Sequence, residues 1–417
     1  MTSVAHMAPP PMDVRFMGVT LTQVRAVLVW LMFASSFYVA IEPAPADLLF
    51  IVLLACFLGS GLTLSSVHVP LILFLLLYNL GGFFSFLQVA GDEKARMFVI
   101  TSFYMAASAV FFAFYVANNP LRRMAIIRNA LIIAAVIASA LGVLGYFNVA
   151  GLGSEFSLYW RAVGTFKDPN VFATYLLFPG VMLVQSFLLG TQRHKFISMI
   201  GLFIILAALF LAFSRGAWIS FLFATTLMVT LTFILTPAVG TRTRIILITL
   251  FGIVGLAVLL AMLLSVEGIR DLFLDRFTFA KDYDSGEKGR FGNQLNSIPL
   301  LLEQPLGFGP LYFHKIFGQD PHNVYINAFA SYGWLGGISY LLLMLSTITI
   351  GFKTVLMRTP WQNWAVVVFC PLLATIFQGV QIDTDHWRHF YWMLGMMWGL
   401  FAASIAYVQK PTGPVTL

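Results

Sequence analysis

Apolar runs separated by short polar segments recur along the chain from residue 24 to residue 407. A helix needs roughly 20 apolar residues to cross the hydrocarbon core of a bilayer. Twelve runs approach or meet that length: 24–41, 47–64, 69–89, 97–117, 127–148, 170–189, 197–213, 216–235, 245–265, 322–350, 363–380 and 388–407. The pattern predicts an all-α polytopic membrane protein with about 12 transmembrane helices. One boundary is subtle. Residues 197–235 are interrupted only by Ser214-Arg215-Gly216, and a single 39-residue helix would far overshoot the bilayer, so two helices hinged at that tripeptide are expected. The organisation that follows is an N-terminal segment, 1–23, then helices one to nine within 24–265. A large polar loop, 266–321, precedes three further helices within 322–407 and a tail, 408–417.

Composition sharpens this picture. The chain is 59% hydrophobic and 10% charged, with a mean hydropathy of +0.88. A water-soluble domain cannot hide so much apolar surface, so lipid is the solvent. Cys56 and Cys370 both lie inside apolar runs and give no disulfide framework. Residues 1–24 lack a short apolar core followed by a small-residue cleavage pattern, so the first span is expected to remain in the mature protein.

The net charge of +7 is distributed by side. With twelve spans, both termini share one face. Arg15, Arg25, Arg122, Arg123, Arg128, Arg193, Lys195, Arg242, Arg244, Lys353, Arg358 and Lys410 fall there, against the single acid Asp13. Short basic loops mark the cytoplasmic face, so the termini are expected to be cytoplasmic and the long loops outside. The basic excess is then a topology signal, and no nucleic-acid partner is required.

Chemistry gathers in the outer loops. In 160–175, Asp168-Pro169-Asn170 reads as a helix start with Asp168 as cap, and Arg161 and Lys167 are candidates to face an anionic substrate. Arg215 has two readings: an interfacial anchor that snorkels to the headgroups, or a charge pointing into a functional cavity. Arg290 follows a glycine-rich approach and precedes an amphipathic stretch, 291–302, suited to lie along the membrane surface. Asp282 and Asp284 have a spacing that can hold a divalent ion, although a solvated acidic run explains them better. His386 and His389 could ligate a metal, yet an interfacial Trp/His/Arg belt is the commoner explanation.

The last stretch begins "QDPHN" at 319. Asp320 as cap and Pro321 at the first helical position put His322 in the first turn, where the helix dipole disfavours imidazolium and leaves a neutral base. Asn323 and Asn327 lie one turn apart and are candidates to position a sugar. Gly333, Gly336 and Gly337 suggest close helix packing. Two arginines suit phosphate, and a neutral histidine suits removal of a hydroxyl proton. Together they predict hydroxyl attack on a lipid-linked phosphate ester.

The ordered set F-x-D-P-N-x-F (166–172), S-R-G (214–216), G-R-F (289–291), G-x-G (307–309), H-N-x-Y (322–325) and G-x-x-G (333–336) resembles the O-antigen ligase and polymerase superfamily. The resemblance implies a GT-C-type architecture in the bacterial inner membrane, with a periplasmic active site. It implies an undecaprenyl-diphosphate-linked glycan donor and an acceptor that is either lipid A-core or a growing polysaccharide. By the same resemblance, Arg215 and Arg290 bind the diphosphate and His322 is the catalytic base. Transfer would be inverting, with no metal and no other cofactor. The competing readings are a polysaccharide transporter or flippase, or a non-catalytic scaffold of a polysaccharide assembly complex. The absence of a half-and-half repeat argues against the transporter.

Overall fold

A computed structural model of the chain describes residues 15–16, 19–57, 62, 64–277 and 289–409. The chain is an all-α polytopic membrane protein, and each of the twelve apolar runs carries a helix. Among the described residues, eight helices are long and apolar enough to span a bilayer; four others, Leu21–Ala34, Pro45–Phe57, Lys195–Leu211 and Gln362–Gln378, are apolar but shorter.

In chain order, a small hairpin of β1 (Arg15–Phe16) and β2 (Val19–Thr20) leads into α1 (Leu21–Ala34), α2 (Pro45–Phe57), α3 (Val69–Phe86), α4 (Glu93–Ala117) and α5 (Pro120–Tyr146). The following segment holds α6 (Gly153–Phe156) and a second hairpin, β3 (Ser157–Leu158) with β4 (Arg161–Ala162). Then come α7 (Pro169–Tyr175), α8 (Leu177–Leu189), α9 (Lys195–Leu211), α10 (Arg215–Leu235) and α11 (Val239–Leu264). The loop after α11 carries α12 (Glu267–Phe277), α13 (Arg290–Glu303) and α14 (Phe313–Phe317). The chain ends with α15 (Val324–Leu356), α16 (Gln362–Gln378) and α17 (Arg388–Val408).

Local sequence fixes these starts and stops. Asp168 caps α7 by accepting from the backbone N–H of Asn170 at 2.7 Å and Val171 at 3.1 Å, with Pro169 in the first turn, as the sequence predicts. The expected break near residue 214 is real. Helix α9 stops at Leu211, Phe213 turns the backbone through φ +47°, and Ser214 caps α10.

Two seams bring backbones together. Gly395 and Gly399 of α17 lie against the Ala109 and Ala113 carbonyls of α4, where an added Cβ would sit 2.2 and 2.6 Å from those oxygens. Small residues at such spacing let membrane helices approach to van der Waals contact. Gly81 of α3 meets the Gly336 backbone of α15 in the same way. Gly333 does something else. It breaks α15 with φ +65° and ψ −171°. The break frees backbone groups that hold the 304–310 segment. Phe308 N–H donates to the Ala330 carbonyl at 2.7 Å, and Trp334 N–H donates to the Pro305 carbonyl at 2.8 Å. Close packing was the expectation for all three glycines of this motif, and Gly333 is instead a hook for a loop.

Helix α13 covers the predicted amphipathic stretch, with an unusual polarity. Asn293, Gln294 and Ser297 are buried, whereas Phe291, Leu295, Ile298 and Leu302 are exposed. A helix that turns polar groups inward and apolar groups outward suits a lipid surround.

Candidate active site

Helices α1, α3, α5, α9, α11 and α16 finish at the end of the bundle where α2, α4, α7, α10, α15 and α17 begin. The connections there are bonded to one another. Arg388 at the start of α17 forms a two-pronged ion pair with Asp47 of α2, both contacts 2.7 Å, and Tyr104 donates to the same carboxylate at 2.8 Å. Lys315 pairs with Asp92 at 3.2 Å, and Gln88 donates to the Leu306 carbonyl at 3.1 Å. The Thr165 hydroxyl donates to the Phe37 carbonyl.

Within this layer the segment 378–385 is the meeting point. On one side it touches α10: Gln378 accepts from the Ser220 hydroxyl at 3.2 Å, and a Cβ on Gly216 would lie 3.4 Å from the Gln378 amide and 3.6 Å from Gln381. Arg215, the first residue of α10, is half-buried beside this contact. On the other side the Gly379 carbonyl accepts from Val324 N–H at 2.8 Å, and the two oxygens of Asp383 accept from His322 N–H and Asn323 N–H, each at 3.1 Å. Arg290 lies near the His322 side, at the start of another helix. It opens α13, its guanidinium 4.8 Å from the centre of the Phe291 ring. One turn on, Gln294 donates to the Pro321 carbonyl at 2.8 Å, next to His322. Gly216, next to Arg215, and the His322 backbone therefore both contact the 378–385 segment, while Arg290 is linked to the His322 side through Gln294. The three candidates are separated by up to 107 positions in the chain.

The helix start differs from the sequence expectation. Asn323, not Asp320, caps α15, accepting from Tyr325 N–H at 3.0 Å and Ile326 N–H at 3.2 Å. His322 lies just outside the helix with φ +46°. Its backbone is held by the Asp383 carboxylate, which supplies what the left-handed conformation lacks. The dipole argument for a neutral His322 loses its premise, because the ring is not in the first helical turn. Asn323 spends its side chain on the cap. Asn327 is buried, donates to Asp385 at 3.1 Å and accepts from the Ser331 hydroxyl at 2.8 Å.

The remaining candidates lie at the same end. Buried Arg161 donates to the Ala212 carbonyl and to the Asn170 side chain, each at 2.8 Å, stapling the β3–β4 hairpin to the junction ahead of Arg215. Lys167 makes an exposed ion pair with Glu42 at 2.9 Å. His386 lies 3.2 Å from Asp385 and stacks on Phe98 at 3.9 Å, whereas His389 packs against Tyr175 and Trp387. The two rings face different neighbours, and among the described residues no three His, Cys, Asp or Glu side chains cluster as metal ligands. Asp282 and Asp284 lie outside the described residues.

Electrostatics single out Asp383. Burial, reinforced by the nearby charge of Asp385, raises its carboxyl to about 8 from an ordinary 3.8 despite the two N–H donors. Burial opposes charge on His386, but Asp385 outweighs it and holds the imidazole above its ordinary value. Asp383, Gln294 and Gln378 carry no local signal in the sequence that marks them as part of a site. No spacing rule links residue 383 to residue 322; only the packing of α16 and α17 beside α15 does.

No curated protein matches the chain. The family described as O-antigen ligase matches residues 200–341, the stretch that holds Arg215, Arg290 and His322. Over these residues the chain is similar to the O-antigen ligase family, which supports the resemblance carried by its motifs.

Proposed function

We propose that the protein is a membrane glycosyltransferase that moves a glycan from an undecaprenyl-diphosphate donor to an acceptor sugar hydroxyl at the periplasmic face. The observation that supports this reading is that the starts of α10 and α15 both meet the 378–385 segment, Gly216 beside Arg215 on one side and the His322 backbone on the other, with the helix that Arg290 opens bonded next to His322 through Gln294. Arg215 and Arg290 are each the first residue of a helix. The guanidinium fork and the positive end of the helix dipole act in the same sense there, and together they suit a diphosphate.

In this reading the acceptor oxygen attacks the anomeric carbon of the donor. The bond from that carbon to the diphosphate oxygen breaks, inverting the configuration. The hydroxyl proton passes to the His322 ring, and the two arginines stabilise the charge gathering on the leaving diphosphate. Asp383 is a positioning residue: it sets the His322 backbone and does not touch substrate. Neither a metal nor a nucleotide enters the scheme. The acceptor is lipid A-core in a ligase and another repeat unit in a polymerase.

The test is glycan transfer by the full chain in nanodiscs, with purified lipid-diphosphate donor and candidate acceptors read by mass spectrometry. Arg215→Ala, Arg290→Ala and His322→Ala are each expected to stay folded and to lose transfer by about 10²–10⁴-fold. Normal turnover by all three would end the catalytic reading.

A further inference from the structure

The β3–β4 hairpin turns through two residues, Tyr159 and Trp160, with φ +51° and +59°. Such a turn needs left-handed backbone at both positions and is ordinarily built from Asn-Gly or Asp-Gly. Two aromatic residues are a costly choice there, and packing does not explain them: Tyr159 is 77% exposed and Trp160 is 85% exposed. Strain kept at an exposed tip points to function.

Trp160 borders a cavity of about 250 Å³, lined also by Tyr146, Asn148, Ser154, Ser157 and two glycines. No lining side chain is charged. The Asn148 side-chain oxygen Oδ1 accepts from Gly153 N–H at 2.9 Å, which leaves its side-chain NH2 as a donor. The Ser157 hydroxyl gives its proton to the Gly153 carbonyl at 2.7 Å and keeps its lone pairs as acceptors. An aromatic face beside a few neutral donors and acceptors is the chemistry that recognises a pyranose. Ring C–H bonds pack on the negative face of the indole, and hydroxyls find the polar atoms.

The cavity is tied to the candidate active site. Its wall Tyr146 packs on Phe213, ring centres 6.1 Å apart, two residues before Arg215. Arg161, next to Trp160, bonds the Ala212 carbonyl of the same junction.

We infer that the Tyr159-Trp160 tip and the cavity behind it form a sugar subsite that holds a neutral pyranose of one of the two glycan substrates. The ligand class rests on the glycosyltransferase reading. The tip could otherwise serve as a headgroup anchor, and the test separates the two.

The full chain in nanodiscs is mixed with the saccharide freed from the donor by mild acid, or with deacylated core oligosaccharide, and saturation transfer to sugar ring protons is read by NMR. One of the two probes is expected to give a signal, which assigns the source. Trp160→Ala should abolish the signal, Trp160→Phe should keep it, and turnover by Trp160→Ala should show KM raised about tenfold with kcat nearly unchanged. The pair Tyr159→Asn with Trp160→Gly installs residues the turn favours, so it should fold at least as well and still lose the signal. Signal retained by that pair, or no signal from either probe with wild-type protein, would overturn the inference. So would a pair whose only change is loss of Trp160 quenching by brominated lipid. Arg215→Ala should keep the saccharide signal, so its loss of turnover bears on the catalytic reading alone.

Discussion

The two ends of the helix bundle are built by different rules. At the end opposite the candidate site, the basic residues that mark topology also close helices. Arg25 donates to the Cys56 carbonyl at 2.7 and 3.1 Å, Arg242 to Thr236 at 2.8 Å and Arg244 to Leu189 at 3.4 Å. Each carbonyl lies at the C-terminal end of a helix, where cations are favoured. Loops there are short, and among the described residues Asn119 alone has a left-handed non-glycine backbone. At the site end two connections are long, 147–168 and 265–323, and the connections are bonded to one another. Seven of the eight left-handed non-glycine residues among those described fall there: Asn148, Ala150, Tyr159, Trp160, Phe213, Leu311 and His322. One end follows local helix chemistry and the other overrides it. Strain of that kind persists only where tertiary contacts hold it and function repays it.

The contrast predicts unequal tolerance to substitution. The largest expected effect concerns the arginines. Arg215→Lys and Arg290→Lys should each lower turnover about 10²–10³-fold, because an ammonium cannot replace a fork aimed at phosphate. Arg242→Lys and Arg244→Lys, which only close helices, should stay within about twofold. Equal losses at both ends, measured as glycan transfer in nanodiscs, would erase the distinction.

Next is the Arg388–Asp47 pair, where site-end loops are bolted together. Arg388→Met leaves a buried carboxylate uncompensated and should destabilise the protein by about 3–5 kcal/mol. Adding Asp47→Leu should restore most of that stability in a thermal unfolding assay. A single variant as stable as wild type would mean the bolt is decorative.

Asp383→Asn should be milder, about tenfold in turnover, since one of two accepting oxygens survives. Asp383 ionises near pH 8 when folded and near 3.8 in its ordinary state. The folded protein therefore holds the extra proton between those values, and the contribution of Asp383 to stability falls as pH rises from about 4 to about 8. Ionisation lets both oxygens accept from His322 and Asn323, so wild-type turnover should gain a limb rising through about pH 8. The Asn variant should lack that limb; a profile identical to wild type would remove Asp383 from the positioning of His322.

The smallest effect belongs to the opposite end. Asn119→Gly keeps the left-handed conformation and should change stability by only a few tenths of a kcal/mol, with turnover untouched. A loss of turnover there would show that strain at that end also serves the site.

Much of the architecture is legible along the chain. The apolar runs at 24–41 through 388–407 each carry a helix, because period and length are local properties of sequence. The cap at Asp168 and the break before Arg215 are local as well. The start of α15 is not. Asp320-Pro321 is a good local signal, yet Asn323 wins, because Asp383 and the Gly379 carbonyl bind the backbone of residues 322–324 from 55 or more positions away. Gly333 was legible as a small residue for packing but not as a break, since the Pro305 and Phe308 backbone groups that fill the break come from another segment.

The sequence by itself determined the helices, the sidedness of charge, and the residue types able to grip a diphosphate and take a proton. All of these depend on composition and on neighbours within a turn or two. The tertiary structure alone decided that residues 378–385 touch both the start of α10 beside Arg215 and the backbone of His322, and that α13 is bonded next to His322 through Gln294. It also decided that Asp383 carries the backbone of His322 and that Tyr159 and Trp160 stand exposed beside a cavity. The physical reason is that helix formation is dictated by bonds within the helix, whereas the conformation of the site loops is dictated by partners remote in sequence.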